Sequence, residues 1–233
     1  MTDFVLVPGA GGRAWYWHRV VDELARRGHR AVAVELPGPD PEQGLVRYRE
    51  LIVDAGQEFG GPVDLVAQSL GGFSAPLACD DLTVERLVLV NAMIPVAGET
   101  AGAWWDDVGW REEAHASAAR GGRPDPDVND VETLFFHDLP PEIAEFMRSD
   151  PEAGGESPAV FSEPWPLERW PAVATSVLAA QDDRLFPLAL QQRVARDRLG
   201  LEVAALPGGH LVALSQPRAL TDALTSAAPS ASA

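Results

Sequence analysis

Six short stretches of this chain, residues 4–7, 31–36, 63–68, 86–91, 175–180 and 201–206, are apolar almost without alternation and run straight into turn-forming residues. A strand with one face in water alternates polar and apolar side chains, whereas a strand covered on both faces does not. Segments with helical spacing lie between these runs. Trp17, Val20, Val21 and Leu24 share one face of a helix predicted over 14–27, with Gly28 as its stop. Leu45, Tyr48, Leu51, Ile52, Ala55 and Phe59 trace another, a third runs over 187–199 behind Pro187, and a fourth over 218–226. Buried strands alternating with amphipathic helices predict an α/β protein, a doubly wound and mostly parallel sheet with helices on both faces.

The alternation breaks after Pro95. From there to about Trp165 the chain is rich in Trp, Pro, Gly and acidic residues, with short helical pieces such as 141–147. A stretch this long is improbable as a plain loop, so it is read as an inserted helical cap. The predicted organisation is a first core part over 1–94, a cap over 95–166, a second core part over 167–228, and a disordered tail over 229–233.

The most informative turn is Ala67-Gln68-Ser69-Leu70-Gly71-Gly72, where the third apolar run stops at a serine and helix-compatible residues follow. A serine on a tight strand-to-helix turn is held in a strained backbone conformation, with its hydroxyl clear of the sheet. Residues two before and two after it must be small, and Ala67 and Gly71 are. A serine hydroxyl is a poor nucleophile unless a base accepts its proton, and that base needs an acid to orient it. In an open parallel sheet the loops after the strands' carboxyl ends share one edge. Asp182 and Asp183 follow the fifth run, and His210 follows the sixth behind a Pro-Gly-Gly turn. His18, His29, His115 and His137 are the other histidines. The first three suit surface or packing roles, while His137, in Phe135-Phe136-His137-Asp138, can reach a pocket from the cap.

Taken together these motifs resemble the α/β-hydrolase family, over residues 3 to about 226, and within it a compact methylesterase and hydroxynitrile-lyase-like branch. The segment 7–12 looks like the family's oxyanion loop and 35–38 like its Asp-x-Pro-Gly turn. Residues 67–72 are similar to the nucleophile elbow and 180–187 to the acid loop, and Gly209-His210 carries the histidine. Pro8 and Gln68 stand where histidine is usual, Ala180 where glycine is, and the family's first two strands are missing. The resemblance implies Ser69 as nucleophile, His210 as base and Asp183, four residues before Pro187, as acid, with Asp182 as its rival. It also implies the backbone N–H groups of Ala10 and Leu70 as oxyanion donors.

The function this implies is a serine hydrolase, of the carboxylic ester hydrolase kind, cleaving an ester, thioester or lactone of a small apolar molecule through an acyl-enzyme. The alternatives are a non-hydrolytic enzyme of the same fold (a lyase, cyclase or cofactor-free oxygenase) using the Ser–His pair as acid and base, and a ligand-binding receptor. Trp104, Trp105, Trp110, Phe135, Phe136 and His137 are the candidate pocket residues, and Trp165 belongs to the same aromatic set. Gly9-Ala10-Gly11-Gly12 lacks the G-x-G-x-x-G spacing of a dinucleotide loop. No cofactor and no metal is expected, since one cysteine, Cys79, cannot build a multi-cysteine site. The net charge of −17 argues against nucleic acid and anionic membrane surfaces as partners. All 18 basic residues are arginine, which excludes lysine Schiff-base chemistry. No apolar run is long enough to span a bilayer, and the start lacks the pattern of a signal peptide. The expectation is a cytoplasmic protein with a small-molecule substrate, a monomer or weak homodimer.

Overall fold

The reason for the unalternating strands is visible in the first of them. In the computed structural model, which describes residues 1–38, 40–150 and 155–226, Val5 and Val7 of strand β1 (Asp3–Val7) enter one apolar core. Phe4 and Leu6, pointing the other way, enter a second. The pleat thus feeds two cores with one run of residues. Strands β2 (Arg30–Ala33), β3 (Val63–Gln68), β4 (Val84–Val90), β5 (Thr175–Ala180) and β6 (Val203–Leu206) complete a six-stranded sheet of order β2-β1-β3-β4-β5-β6. Every neighbouring pair in it is parallel. Chain order reverses at β1, so the crevice of the sheet opens between the carboxyl ends of β1 and β3.

Helix α1 (His18–Arg26), entered through a 3₁₀ turn at Ala14–Trp17, lies on the face of Phe4 and Leu6 with Trp17, Val20 and Leu24 buried. Helix α2 (Leu45–Gln57) covers the opposite face through Leu45, Tyr48 and Ile52. The short α3 (Gly71–Ser74) follows β3 directly. Between β4 and β5 come α4 (Ala101–Asp107), α5 (Trp110–Arg120), a single π-helical turn at Glu132–Phe136, α6 (Pro141–Ser149) and α7 (Pro158–Ser162). Helix α8 (Leu188–Leu199) joins the α2 face and ends at Gly200, whose φ of 68° takes the left-handed cap. The short α9 (Val212–Ser215) and α10 (Pro217–Thr225) close the α1 face.

Two sequence expectations shift. The second strand ends at Ala33 and not at residue 36, because the chain there leaves β1 for the Gly-rich loop: Leu36 N donates to Gly12 O at 2.8 Å. The stretch after Pro95 is more helical than its Pro and Gly content suggests. Helix α5 runs 11 residues, with alanines at 114, 116, 118 and 119, acids in its first turn and Arg120 in its last. Cys79 is free and buried, and burial, with Asp80 adding, pushes its thiol up to about 12. The expected tail beyond residue 226 lies outside the described residues. No described helix is long and apolar enough to cross a membrane.

Candidate active site

Five loops meet at the carboxyl edge of the sheet. The turn after β3 places Ser69 at φ 51°, a left-handed conformation costly for any side-chain-bearing residue. Close approach enforces it. A Cβ on Gly71 would stand 2.8 Å from Pro8 O, and one on Gly72 only 1.8 Å from Met93 O. The sequence reasoning marked position 71 as the tight one, but position 72 is tighter. Gly9, in the loop after β1, is pressed against the same turn, where a Cβ would meet Ser69 Cβ at 2.7 Å.

The loop after β6 brings His210 Nε2 to 3.1 Å from Ser69 Oγ, and the loop after β5 brings Asp183 Oδ2 to 2.8 Å from His210 Nδ1. Asp183 and His210 are 3% and 1% exposed. A carboxylate at Nδ1 keeps the proton there and leaves Nε2 with its lone pair toward the serine. Asp183 is itself held, because its Oδ1 accepts from the N–H groups of Leu185 and Phe186 at 2.9 and 2.8 Å. Asp182 is exposed and offers only its backbone N–H, to Gly208 O at 3.0 Å. Gln68 places its Nε2 3.2 Å from His210 Nε2, so the lone pair has a second neighbour besides Ser69. Phe135 and Phe186 stand edge-on to the imidazole, with centroids at 5.3 and 5.1 Å.

The other histidines lie elsewhere. His18 stacks on Trp15, His29 accepts from Thr2 N, and His115 pairs with Asp125. His137 is half-buried beside Gly209, and burial, then the nearby Arg184, lowers its pKa.

Ser69 and His210 open onto a cavity of about 470 Å³ walled by Trp105, Trp110, Phe135 and Leu185. Ala10 and Leu70 line it too. Among the described residues, the backbone N–H of neither is spent on a protein acceptor. A second cavity, about 570 Å³, lies beyond Phe135 and Leu211 and shares Ala10 and Gln68 with the first; Phe136 lines it. Trp104 and His137 line neither cavity. Trp104 is buried behind the wall, its Nε1 donating to Ile94 O at 3.2 Å and its ring against Phe186. Trp165 is also internal, bonded to Phe73 O. No group of three or more possible metal ligands occurs among the described residues.

Asn91, just after β4, touches two of these loops through its side chain. Asp138 accepts from Gly209 N at 2.6 Å, and Glu156 from Gly11 N at 3.1 Å, across 71 and 145 residues of chain. No local pattern signals such contacts.

A model of the alpha/beta hydrolase family matches residues 4–223. A probable esterase of Oryza sativa subsp. indica is 37% identical over 110 residues, which cover 42% of this chain and 42% of the rice protein. The chain thus spans less than half the length of that relative. A pyrethroid hydrolase of Sphingobium wenxiniae is 25% identical over 248 residues, 96% of this chain and 86% of that protein. Among solved structures, a polyneuridine aldehyde esterase variant superposes with a TM-score of 0.76 at 20% identity, covering 96% of this chain and 97% of the other. That likeness is one of fold.

Proposed function

The chain belongs to the alpha/beta hydrolase family, and from that premise we propose that it is a serine esterase whose nucleophile is Ser69, base His210 and acid Asp183. The observation that carries this is the pair of short contacts on one imidazole, Ser69 Oγ at 3.1 Å from Nε2 and Asp183 at 2.8 Å from Nδ1. His210 takes the hydroxyl proton as Ser69 Oγ attacks the carbonyl carbon of an ester. The oxyanion is received by the N–H groups of Ala10 and Leu70. His210 then gives the proton to the leaving alkoxide, and the C–O bond breaks to an acyl-serine. Water, deprotonated by the same imidazole, attacks the acyl carbon; the bond to Ser69 Oγ then breaks, His210 returns the proton to Oγ, and the acid leaves. Asp183 fixes the tautomer and stabilises the imidazolium.

The substrate is an ester, thioester or lactone with apolar groups on both sides of the carbonyl. Two mainly apolar cavities meet beside the serine, and one holds a chain or ring on the acyl side while the other holds the alcohol. The names of the relatives, an esterase and a pyrethroid hydrolase, agree with this class. The stretch between β4 and β5 acts as the lid that builds both cavities.

The test is treatment with a fluorophosphonate followed by intact-mass and peptide mapping, wild type beside His210→Ala. A single adduct on Ser69, lost in the histidine variant, is the expected result. A folded wild-type protein that forms no adduct, yet exchanges protons on a bound carbonyl compound, would shift the assignment to the non-hydrolytic use of the Ser–His pair. Saturable binding of an ester that survives Ser69→Ala, with no turnover, would make the site a receptor.

A further inference from the structure

Besides glycines, two described residues have positive φ, Ser69 at 51° and Asn91 at 46°. The first is the nucleophile of the proposed reaction. The second has no assigned task, sits at the end of β4, the neighbour of β3 in the sheet, and is completely buried. A strained residue persists only where its surroundings over-determine it, and such outliers concentrate at functional sites. Asn tolerates this region better than other side-chain-bearing residues.

The side chain of Asn91 makes three hydrogen bonds that fix its amide orientation without ambiguity. Oδ1 accepts from Ala180 N at 2.7 Å, while Nδ2 donates to Gly209 O at 3.2 Å and to His210 O at 3.0 Å. Ala180 ends β5, three residues before Asp183, and Gly209 and His210 belong to the loop after β6. One buried amide therefore ties the acid-bearing and base-bearing loops to the strand between them and the serine. Its backbone turn completes the tie, because Met93 N then reaches Ser69 O at 2.9 Å. The loop it grips needs gripping. Gly208, at φ 107°, and Gly209 are the most permissive residues a chain can place before a base.

We propose that Asn91 is a positioning residue that sets His210 against both Ser69 and Asp183. This rests on the Ser–His reading above. Aspartate offers Ala180 N the same acceptor but has nothing to donate to the two carbonyls. Glycine relieves the positive φ but removes the tie altogether.

The experiment compares Asn91→Gly and Asn91→Asp with wild type, the glycine variant being the one whose backbone is unstrained at this position. Three quantities are read: the second-order rate of fluorophosphonate capture by Ser69, kcat and KM for p-nitrophenyl acetate, and amide hydrogen exchange of peptides covering 206–212. We expect capture rate and kcat to fall about 100-fold, the scale of a misplacement near 1 Å. KM should stay near wild type, since Asn91 lines neither cavity, and exchange in 206–212 should accelerate. A merely structural role lowers the melting temperature yet leaves the folded molecules' kcat intact, and that result overturns the proposal. So does faster exchange without loss of rate, or loss of rate with the loop still protected. If wild type itself is not captured, the esterase reading fails on its own. The exchange data then still decide whether Asn91 holds the loop.

Discussion

Asp183→Asn separates a base held in one tautomer from a histidine that is merely nearby. Asparagine keeps an acceptor for the N–H groups of Leu185 and Phe186, so the acid loop keeps both of its anchoring bonds. What changes is the atom facing His210. With an amide N–H₂ toward Nδ1, the imidazole proton moves to Nε2, which then points a donor at Ser69 Oγ across the present 3.1 Å. The lone pair that should receive the hydroxyl proton is gone. In serine hydrolases this wrong tautomer costs about 10⁴-fold in kcat, or about 5 kcal/mol of barrier. The acid is buried, and among the described residues no other carboxylate bonds to His210 Nδ1. Asp182→Asn is the control, because that side chain is exposed. Both variants are measured by kcat on p-nitrophenyl acetate and by the rate of fluorophosphonate capture, with melting temperatures taken alongside. The tautomer argument is refuted if folded Asp183→Asn stays within about tenfold of wild type, or if Asp182→Asn falls as far.

Gly72→Ala places a Cβ 1.8 Å from Met93 O, which is backbone and cannot swing aside. We expect a loss of about 1–3 kcal/mol in stability and slower capture of Ser69, read by urea unfolding and fluorophosphonate kinetics; an unchanged unfolding midpoint refutes the contact. Glu156 is held above the usual carboxylate range mainly by burial, while its bonds from Tyr48, Ser157 N and Gly11 N pull the other way. A raised acid contributes stability that is full below its unfolded pKa and lost as pH rises through the folded one. Glu156→Gln should therefore gain on wild type as pH rises through that range, in urea midpoints compared from acid to neutral pH. A difference independent of pH contradicts the assignment.

What could be read in the sequence is what leaves a local trace. The inner strands are continuous apolar runs because both of their faces are covered, while the edge strands β2 and β6 are partly exposed and were legible as short apolar runs between turn-forming residues. Ser69, the Asp182-Asp183 pair and His210 were legible because each follows such a run. Asp183 was preferred to its neighbour only through the resemblance of 180–187 to an acid loop, because adjacent residues in a loop carry no period that tells them apart. Trp104 and Trp105 show the same limit on a helix. Successive residues of α4 differ by about 100°, which turns Trp104 into the core and Trp105 to the cavity. Seven residues are too few to read that phase from pattern. Asn91 was out of reach altogether. Its importance lies in hydrogen bonds to backbone atoms 89, 118 and 119 residues away, and a backbone acceptor has no residue type.

The stretch between β4 and β5 walls the cavities and also braces the loops of Gly11 and His210. Asp138 receives Gly209 N at 2.6 Å, Glu156 receives Gly11 N at 3.1 Å, and Phe135 stands edge-on to His210. Residues of this stretch therefore differ in what their loss does, according to whether they touch only the cavity or the imidazole as well. Val128 lines the first cavity and is half exposed, and it is not among the residues that hold the loops of Ser69, Asp183 and His210. Val128→Ala should move KM for esters that fill the cavity and leave kcat near wild type. Phe135 lines both cavities and packs on His210 at 5.3 Å. Phe135→Ala removes the wall between the two chambers together with an aromatic contact of about 0.5–1.5 kcal/mol. It should lower kcat by about twofold to thirteenfold, as that energy converts, and reduce discrimination between esters bulky on one side and on both. The comparison is made with two aryl ester series, one lengthened on the acyl side and one on the alcohol side. Equal effects of the two substitutions on kcat would mean that the wall and the brace are separate structures, and that Phe135 contributes only shape.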